Sequence, residues 1–97
     1  MSSDLLHALR EAQTHESECR AARNRALADC CDAMAEARAA QSYVGKACES
    51  GHYADGVAEE LKRRDHEVAV TDAAHRLAIV QVRRAFKALR EGANGTR

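Results

Sequence analysis

The stretch CESGHYADG, residues 48–56, interrupts an otherwise continuous helix-forming sequence and therefore decides how the chain folds. Gly51 suits the left-handed position that follows the last turn of a helix, and Asp55 can cap the first turn of the next helix. The same stretch places Cys48 four residues before His52, which on a helix would present two ligands to one metal ion. It is therefore either the bend of a helical hairpin or half of a metal site.

The sequence on both sides of this stretch favours helix. Alanine, which loses no side-chain entropy in a helix, occurs 21 times, proline is absent, and Phe, Tyr and Trp together number three. Asp4 suits the positive end of a helix dipole. We predict an all-α fold in one domain, residues 1–97. It has a first helix at about 4–49, a turn at about 50–54, a second helix at about 55–91, and a frayed tail at 92–97 after Gly92.

Each predicted helix carries a stripe whose members recur at intervals of three and four residues or their sums, so that they share one helical face. In the second helix the stripe comprises Val57, Leu61, Val68, His75, Ile79, Val82, Phe86 and Leu89. In the first it comprises the smaller residues Leu5, Leu9, Ala12, Cys19, Ala26, Cys30, Ala37, Val44 and Ala47. Glu16 and Arg23 interrupt the first stripe. We predict that the stripes pack together in a long, coiled-coil-like hairpin.

The charges favour an antiparallel arrangement of the two helices. Residues 4–18 contain four acidic residues and one basic residue, whereas residues 76–97 contain six basic residues and one acidic residue. A fold about residue 52 brings these ends together and makes Phe86 and Leu89 the main apolar anchor there. An exposed ion pair contributes only about 0–1 kcal/mol. The alternative is that both runs are solvated helix faces.

The predicted core is thin. Leu, Ile, Val and Phe add up to 15 residues, and small residues bury little area at about 25 cal/mol per Å². A short chain with so little apolar burial usually needs a partner. We therefore expect two copies to pair as a homodimeric four-helix bundle, or the hairpin to dock on another helical protein.

Two Cys–His pairs have the spacing of metal ligands on a helix: His15 with Cys19, and Cys48 with His52. On one continuous helix Cys19 and Cys48 would lie roughly 43 Å apart, so one chain cannot bring both pairs to one ion. An antiparallel dimer could unite them, but there is no C-x-x-C motif. We expect no metal and no cofactor, and read the stretch at 48–56 as the bend.

The four cysteines, Cys19, Cys30, Cys31 and Cys48, are expected to act mainly as small apolar residues, with Cys31 the candidate for a reactive thiol. Cys19 and Cys30 would be about 16 Å apart on a helix, beyond disulfide reach. The chain therefore suits a reducing compartment. It shows no secretory signal and no apolar run long enough to span a bilayer. We expect a cytoplasmic protein that does not enter a membrane.

Catalysis is not expected. The predicted register places His75 opposite Asp29 and Cys30, but a histidine held by a carboxylate at a helix seam is far more common than a catalytic Cys–His pair. The sequence contains no glycine-rich phosphate loop, nucleophile elbow or paired-carboxylate signature.

Nucleic acid is the remaining partner class. The end of the second helix carries a basic patch of Arg83, Arg84, Lys87 and Arg90, but the formal net charge of the chain is zero. Phe86 is the only aromatic residue among these charges, so a solvated face is the favoured interpretation.

These patterns predict a small, non-catalytic protein-interaction module of bacterial or phage type: an adaptor, a chaperone-like protein or an inhibitor that binds through its helical faces. One alternative is a nucleic-acid-binding helical protein that uses the basic patch. Another is a metal- or thiol-based sensor. The identity of the partner and the biological process do not follow from the sequence.

Overall fold

The computed structural model describes the backbone of residues 2–47 and 51–95 and the side chains of residues 3–39 and 56–92. It contains two long helices, α1 (Ser2–Ala47) and α2 (Gly51–Gly95), and the described residues form no strand. The helices pack against each other as a helical hairpin. The predicted all-α hairpin is therefore confirmed.

The chain divides into two compact units, and each contains a segment of both helices. Unit 1 comprises Met1–Arg23 and Thr71–Arg97, and unit 2 comprises Asn24–Val70. Each unit is a pair of packed helical segments.

Both predicted bounds of the second helix differ from the structure. Gly51 begins α2 instead of ending α1, so residues 51–54, expected in the turn, are helical. Residue 50, the rest of the predicted turn, lies outside the described residues, as do residues 48 and 49 at the predicted end of the first helix. Likewise α2 continues past Gly92, the expected stop, to Gly95. A glycine inside a helix costs only about 1 kcal/mol relative to alanine, which the surrounding helix formers and tertiary packing can outweigh.

The core of unit 1 lies along the predicted seam. Leu9, His75 and Ala78 are buried, and Leu5 contacts α2 so closely that a Cβ added at Gly92 would lie 2.8 Å from its Cδ1 atom. Ala78 is completely buried, although the predicted stripe omitted it. Because a small side chain between two helices lets their axes approach, Ala78 serves the packing without adding much apolar area.

In unit 2 the seam is also made of small and medium-sized residues. Ala26 is buried, and Cys30, Leu61 and Val68 are partly buried. Cys30 and Met34 of α1 share a shallow surface hollow with Leu61 and Asp65 of α2. Among the predicted stripe members of this unit, Ala26, Cys30, Leu61 and Val68 are thus at least partly buried, whereas Val44 and Ala47 lie outside the residues whose side chains are described.

Phe86 differs from its prediction. It was expected to anchor the packing of unit 1, but its side chain is 54% exposed. Val82 and Leu89, seven residues apart, are partly buried. At about 100° per residue, Phe86 lies roughly 40° from Val82 and roughly 60° from Leu89 in the same direction around the helix, and therefore at the margin of the seam.

A search of the described residues finds no helical stretch apolar and long enough to cross a bilayer.

Candidate functional site

The most distinctive side-chain arrangement is a buried polar cluster in unit 1, formed by Glu16, Arg23 and His75. His75 of α2 is 5% exposed and lies at the seam. Its Nε2 atom is 3.0 Å from Oε1 of Glu16, and its Nδ1 atom is 3.2 Å from Nη1 of Arg23. The two charged residues that interrupt the apolar stripe of α1 thus bind one imidazole ring.

The two contacts match one neutral tautomer of His75. A guanidinium group has only N–H donors, so Arg23 donates to Nδ1, which must carry a lone pair. The ring proton is then on Nε2, from which it is donated to the Glu16 carboxylate. In this neutral form both ring nitrogens have a hydrogen-bond partner, which a buried polar side chain requires.

The cluster also sets the charge state of Glu16. The hydrogen bond from His75 lowers the pKa of the Glu16 carboxyl group from its ordinary value, against the opposing effect of partial burial. The positive charges of Arg20, whose Nη2 atom lies 3.9 Å away, and of Arg23 lower it further. Glu16 is therefore an anion at neutral pH. The arrangement is an ionic network in which both ring nitrogens of His75 are bound, while Nε of Arg23 is buried without a hydrogen-bond partner among the described residues.

A second network lies in unit 2, around Arg64 of α2. Arg64 binds Glu60 at 2.9 Å and Glu67 at 3.6 Å on its own helix, and reaches Asp29 of α1 at 3.7 Å. Glu60 also binds Arg63. The hydrogen bond from Arg63, followed by that from Arg64, lowers the pKa of Glu60, and Glu60 in turn raises the pKa of Arg64. Arg64 thus links the two helices of unit 2 by charge.

The predicted register of His75 is wrong. The ring was expected opposite Asp29 and Cys30, but it contacts Glu16 and Arg23. These partners lie 6 and 13 positions nearer the N-terminus of α1 than Asp29. In an antiparallel pair, moving the fold point towards the N-terminus moves each partner by twice that distance, so a fold point only a few residues before residue 52 accounts for the change.

In the part of the chain that the structure describes, the expected ion pairs between the acidic start of α1 and the basic end of α2 are not formed. Among the described residues, Glu11 pairs with His7 at 2.9 Å and Lys87 with Glu91 at 3.9 Å, each within one helix. The described carboxylates of residues 4–18 make no ion pair with basic side chains of residues 76–92. The two charged ends therefore face solvent.

The basic patch lies in unit 1, and all four of its side chains are exposed: Arg83, Arg84, Lys87 and Arg90. Phe86, also more than half exposed, lies on the same turns of α2. The patch therefore combines cationic groups with one accessible aromatic ring.

Of the four candidate metal ligands, the two on α1, His15 and Cys19, lie close together. His15 Nε2 lies 3.6 Å from Cys19 Sγ. The other pair, Cys48 and His52, lies outside the residues whose side chains are described. Within residues 3–39 and 56–92, no three or more His, Cys, Asp or Glu side chains are grouped so that they could hold an ion. Cys19, Cys30 and Cys31 are free thiols.

Sequence reasoning noted Glu16 and Arg23 only as interruptions of a stripe and did not connect them with His75. The available signal was that all three occupy seam positions: two opposite charges seven residues apart on one helix, and the only polar stripe member on the other. Polar side chains at a seam need partners when buried, so these three could have been assigned to one another.

A comparison of the chain with protein-family models, with curated proteins and with solved structures finds no match.

Proposed function

We propose that this chain is a small, non-catalytic protein-interaction module whose first partner is a second copy of itself, with which it forms a four-helix bundle. The observation that carries this proposal is the exposure of large apolar side chains. Leu77 and Phe86 in unit 1 are 56% and 54% exposed, and Val70 in unit 2 is 53% exposed. A two-helix hairpin covers only one face of each helix, and a further helical surface would bury these side chains.

In unit 1 two exposed apolar residues of α2, Leu77 and Val80, lie on the helix side opposite the seam. Leu77 and Val80 are three residues apart, and Ala73 precedes Leu77 by four, so they share one face. Ala78, next to Leu77 in sequence, is completely buried against α1. This second stripe supports association with another helix, since its spacing is that of a helix-packing surface.

Charge complementarity favours a second copy of the chain as the partner that covers this surface. Asp4, Glu11 and Glu18 recur at seven-residue intervals and form an exposed acidic row on α1. The basic patch forms an exposed positive surface on α2, and neither takes part in ion pairs across the hairpin. An antiparallel neighbour of the same sequence would present the opposite charge to each surface.

The cysteine content supports a reducing, cytoplasmic location for this module. Three described thiols are free, and Cys19 and Cys30 lie eleven residues apart on one continuous helix. That separation is about 16 Å along the axis and precludes a disulfide between them.

The proposed self-association is tested by sedimentation velocity on the full chain and on two variants of the exposed face of α2. Leu77→Ser removes an exposed apolar group, and Gln81→Ser, one turn further along, is the matched polar control. The parent and Gln81→Ser should sediment as dimers at micromolar concentration, whereas Leu77→Ser should shift towards monomer. A parent that is monomeric and melts cooperatively would contradict the proposal.

The exposure of Phe86 favours a second candidate function, binding of an acidic partner such as single-stranded nucleic acid. An aromatic ring beside cationic side chains can stack on a base while the cations bind phosphates. If the patch binds nucleic acid, the logarithm of the association constant should fall linearly with the logarithm of the salt concentration. Arg83→Gln should reduce the steepness of this line by about 1. Phe86→Leu should weaken binding without changing the slope. If binding does not depend on salt concentration, nucleic-acid binding by the basic patch is excluded.

A further inference from the structure

The side chains of His15 and Cys19 converge on the surface of α1 in unit 1. They are four residues apart, and Nε2 of His15 lies 3.6 Å from Sγ of Cys19. In a tetrahedral zinc site, bonds of about 2.3 Å to sulfur and about 2.0–2.1 Å to nitrogen place two such ligand atoms about 3.6 Å apart. The helix therefore already holds the two donor atoms at the separation that one ion requires.

We propose that His15 and Cys19 form a two-ligand binding site for a thiophilic divalent cation of the zinc class. Imidazole nitrogen and thiolate sulfur are the donors that zinc prefers over magnesium or calcium. On binding, the Cys19 thiol releases its proton to solvent, its thiolate donates one electron pair to the metal, and Nε2 of His15 donates another. The proton count is one released per ion bound.

The surroundings of the pair are mixed in charge, because Arg10 lines the same surface hollow as His15 and the two carboxylates beside it. His15 is exposed and Cys19 is partly buried, so solvent reaches the donor atoms from one side. The exposed carboxylates of Glu11 and Glu18 lie one turn or less from His15, although Glu11 also pairs with His7. Arg23, one turn beyond Cys19, hydrogen-bonds His75 on the seam side. The chain supplies only two strong donors here, so water molecules occupy the remaining coordination positions of the bound ion.

Among the described cysteines, this arrangement is particular to Cys19. The residues four before and four after Cys30 are Ala26 and Met34, and those around Cys31 are Leu27 and Ala35. Neither thiol therefore has a histidine one helical turn away. Cys30 and Cys31 serve as internal controls in the same molecule.

The site is tested by thiol alkylation of the full-length reduced protein with and without zinc ions. The attacking species in alkylation is the thiolate, so a bound metal protects the sulfur. Trypsin releases Cys19 alone in residues 11–20, Cys30 and Cys31 together in 26–38, and Cys48 in 47–62, so each peptide reports separately. At free zinc about ten times the measured dissociation constant, alkylation of Cys19 should slow about tenfold. Alkylation of Cys30 and Cys31 should not slow.

Two histidine variants show whether the protection comes from this pair. His15→Gln keeps the Cys19 thiol and should abolish its protection, while His7→Gln, two turns earlier on the same helix, should retain it. Equal helical content of both variants by circular dichroism excludes unfolding as the cause. Three results would each overturn the assignment: no protection of Cys19, protection that persists in His15→Gln, or loss of protection in both variants.

Discussion

His75 shows how one side chain at a helix seam can be polar and still fit a buried position. Its two ring nitrogens are bound by Glu16 and Arg23, so burial leaves neither without a partner. Removing one member of such a network is costly, because the others then remain buried without their hydrogen bonds. The network also specifies which residues of α1 face residue 75, since only one register brings both charged groups to the ring.

We expect His75→Ala to destabilise the fold by about 1–3 kcal/mol, because it removes the two hydrogen bonds that join the buried ring to Glu16 and Arg23. His66→Ala, an exposed histidine of the same helix, is the matched control and should change stability little. Thermal or urea denaturation followed by circular dichroism measures both. If the two variants melt alike, the network does not stabilise the hairpin.

The lowered pKa of Glu16 predicts that part of the folding stability is lost in acid. Its pKa in the folded chain lies below the ordinary value of 4.5, chiefly because of the hydrogen bond from His75. The unfolded chain therefore takes up the proton first as pH falls. The stabilisation is complete above 4.5 and is lost as pH decreases through the lower folded value.

The measurement is the difference in melting temperature between the parent and Glu16→Gln as a function of pH. The difference should be largest at neutral pH and should close as pH falls below the ordinary glutamate range. Glu60, whose pKa is also lowered, is present in both proteins, so its effect cancels. Glu18→Gln, an exposed carboxylate on the same helix, is the control. A difference independent of pH would show that the Glu16 charge contributes nothing.

At the scale of the helices, two glycines of α2 lie in contrasting surroundings. A Cβ added at Gly56 would meet nothing within 4 Å, whereas one at Gly92 would lie 2.8 Å from Leu5 Cδ1. Glycine in a helix is less favourable than alanine by about 0.8–1.0 kcal/mol. A substitution at Gly56 therefore tests helix propensity alone, whereas one at Gly92 tests propensity together with a contact to the other helix.

We expect Gly56→Ala to raise the stability of the chain by up to about 1 kcal/mol, since propensity acts there alone. Gly92→Ala should gain less, because the Leu5 side chain must rotate or shift to admit the methyl group. Chemical denaturation of both variants gives the comparison. An equal gain at both positions would mean that α1 and α2 do not approach closely at Gly92.

The packing between the helices of unit 1 rests on the residues that face the seam. Leu9 is 6% exposed, whereas Phe86 is 54% exposed. We expect Leu9→Ala to cost about 2–5 kcal/mol, as for other buried leucines, and Phe86→Ala to cost much less in the monomer. Thermal melts at low protein concentration check the order. A larger loss for Phe86→Ala would restore the predicted apolar anchor at this end.

For the whole molecule, the small number of buried side chains makes association the expected source of additional stability. A dimer that dissociates on unfolding has a melting temperature that rises with protein concentration. We therefore expect the parent to melt higher as concentration increases, and Leu77→Ser to lose this dependence. A concentration-independent melt in the parent would indicate that the hairpin is stable alone.

The sequence by itself determined the class of fold and the surfaces that pack. Abundant alanine and the absence of proline imply helix, and the three- and four-residue spacing identifies a seam on which Leu9, Ala26 and His75 are buried. These properties are local: propensity and periodicity depend on residues a few positions apart. The basic patch was likewise found from composition along one helix, and its four side chains are exposed.

Only the tertiary structure decided the register, the partners of His75 and the exposure of Phe86. In an antiparallel pair of helices, a change of a few residues in the fold point moves each cross-helix contact by twice that number of residues. Local propensity specifies such a point poorly, because a helix tolerates one glycine at a cost of about 1 kcal/mol. The register follows instead from long-range contacts, above all the two hydrogen bonds that join α1 to the His75 ring.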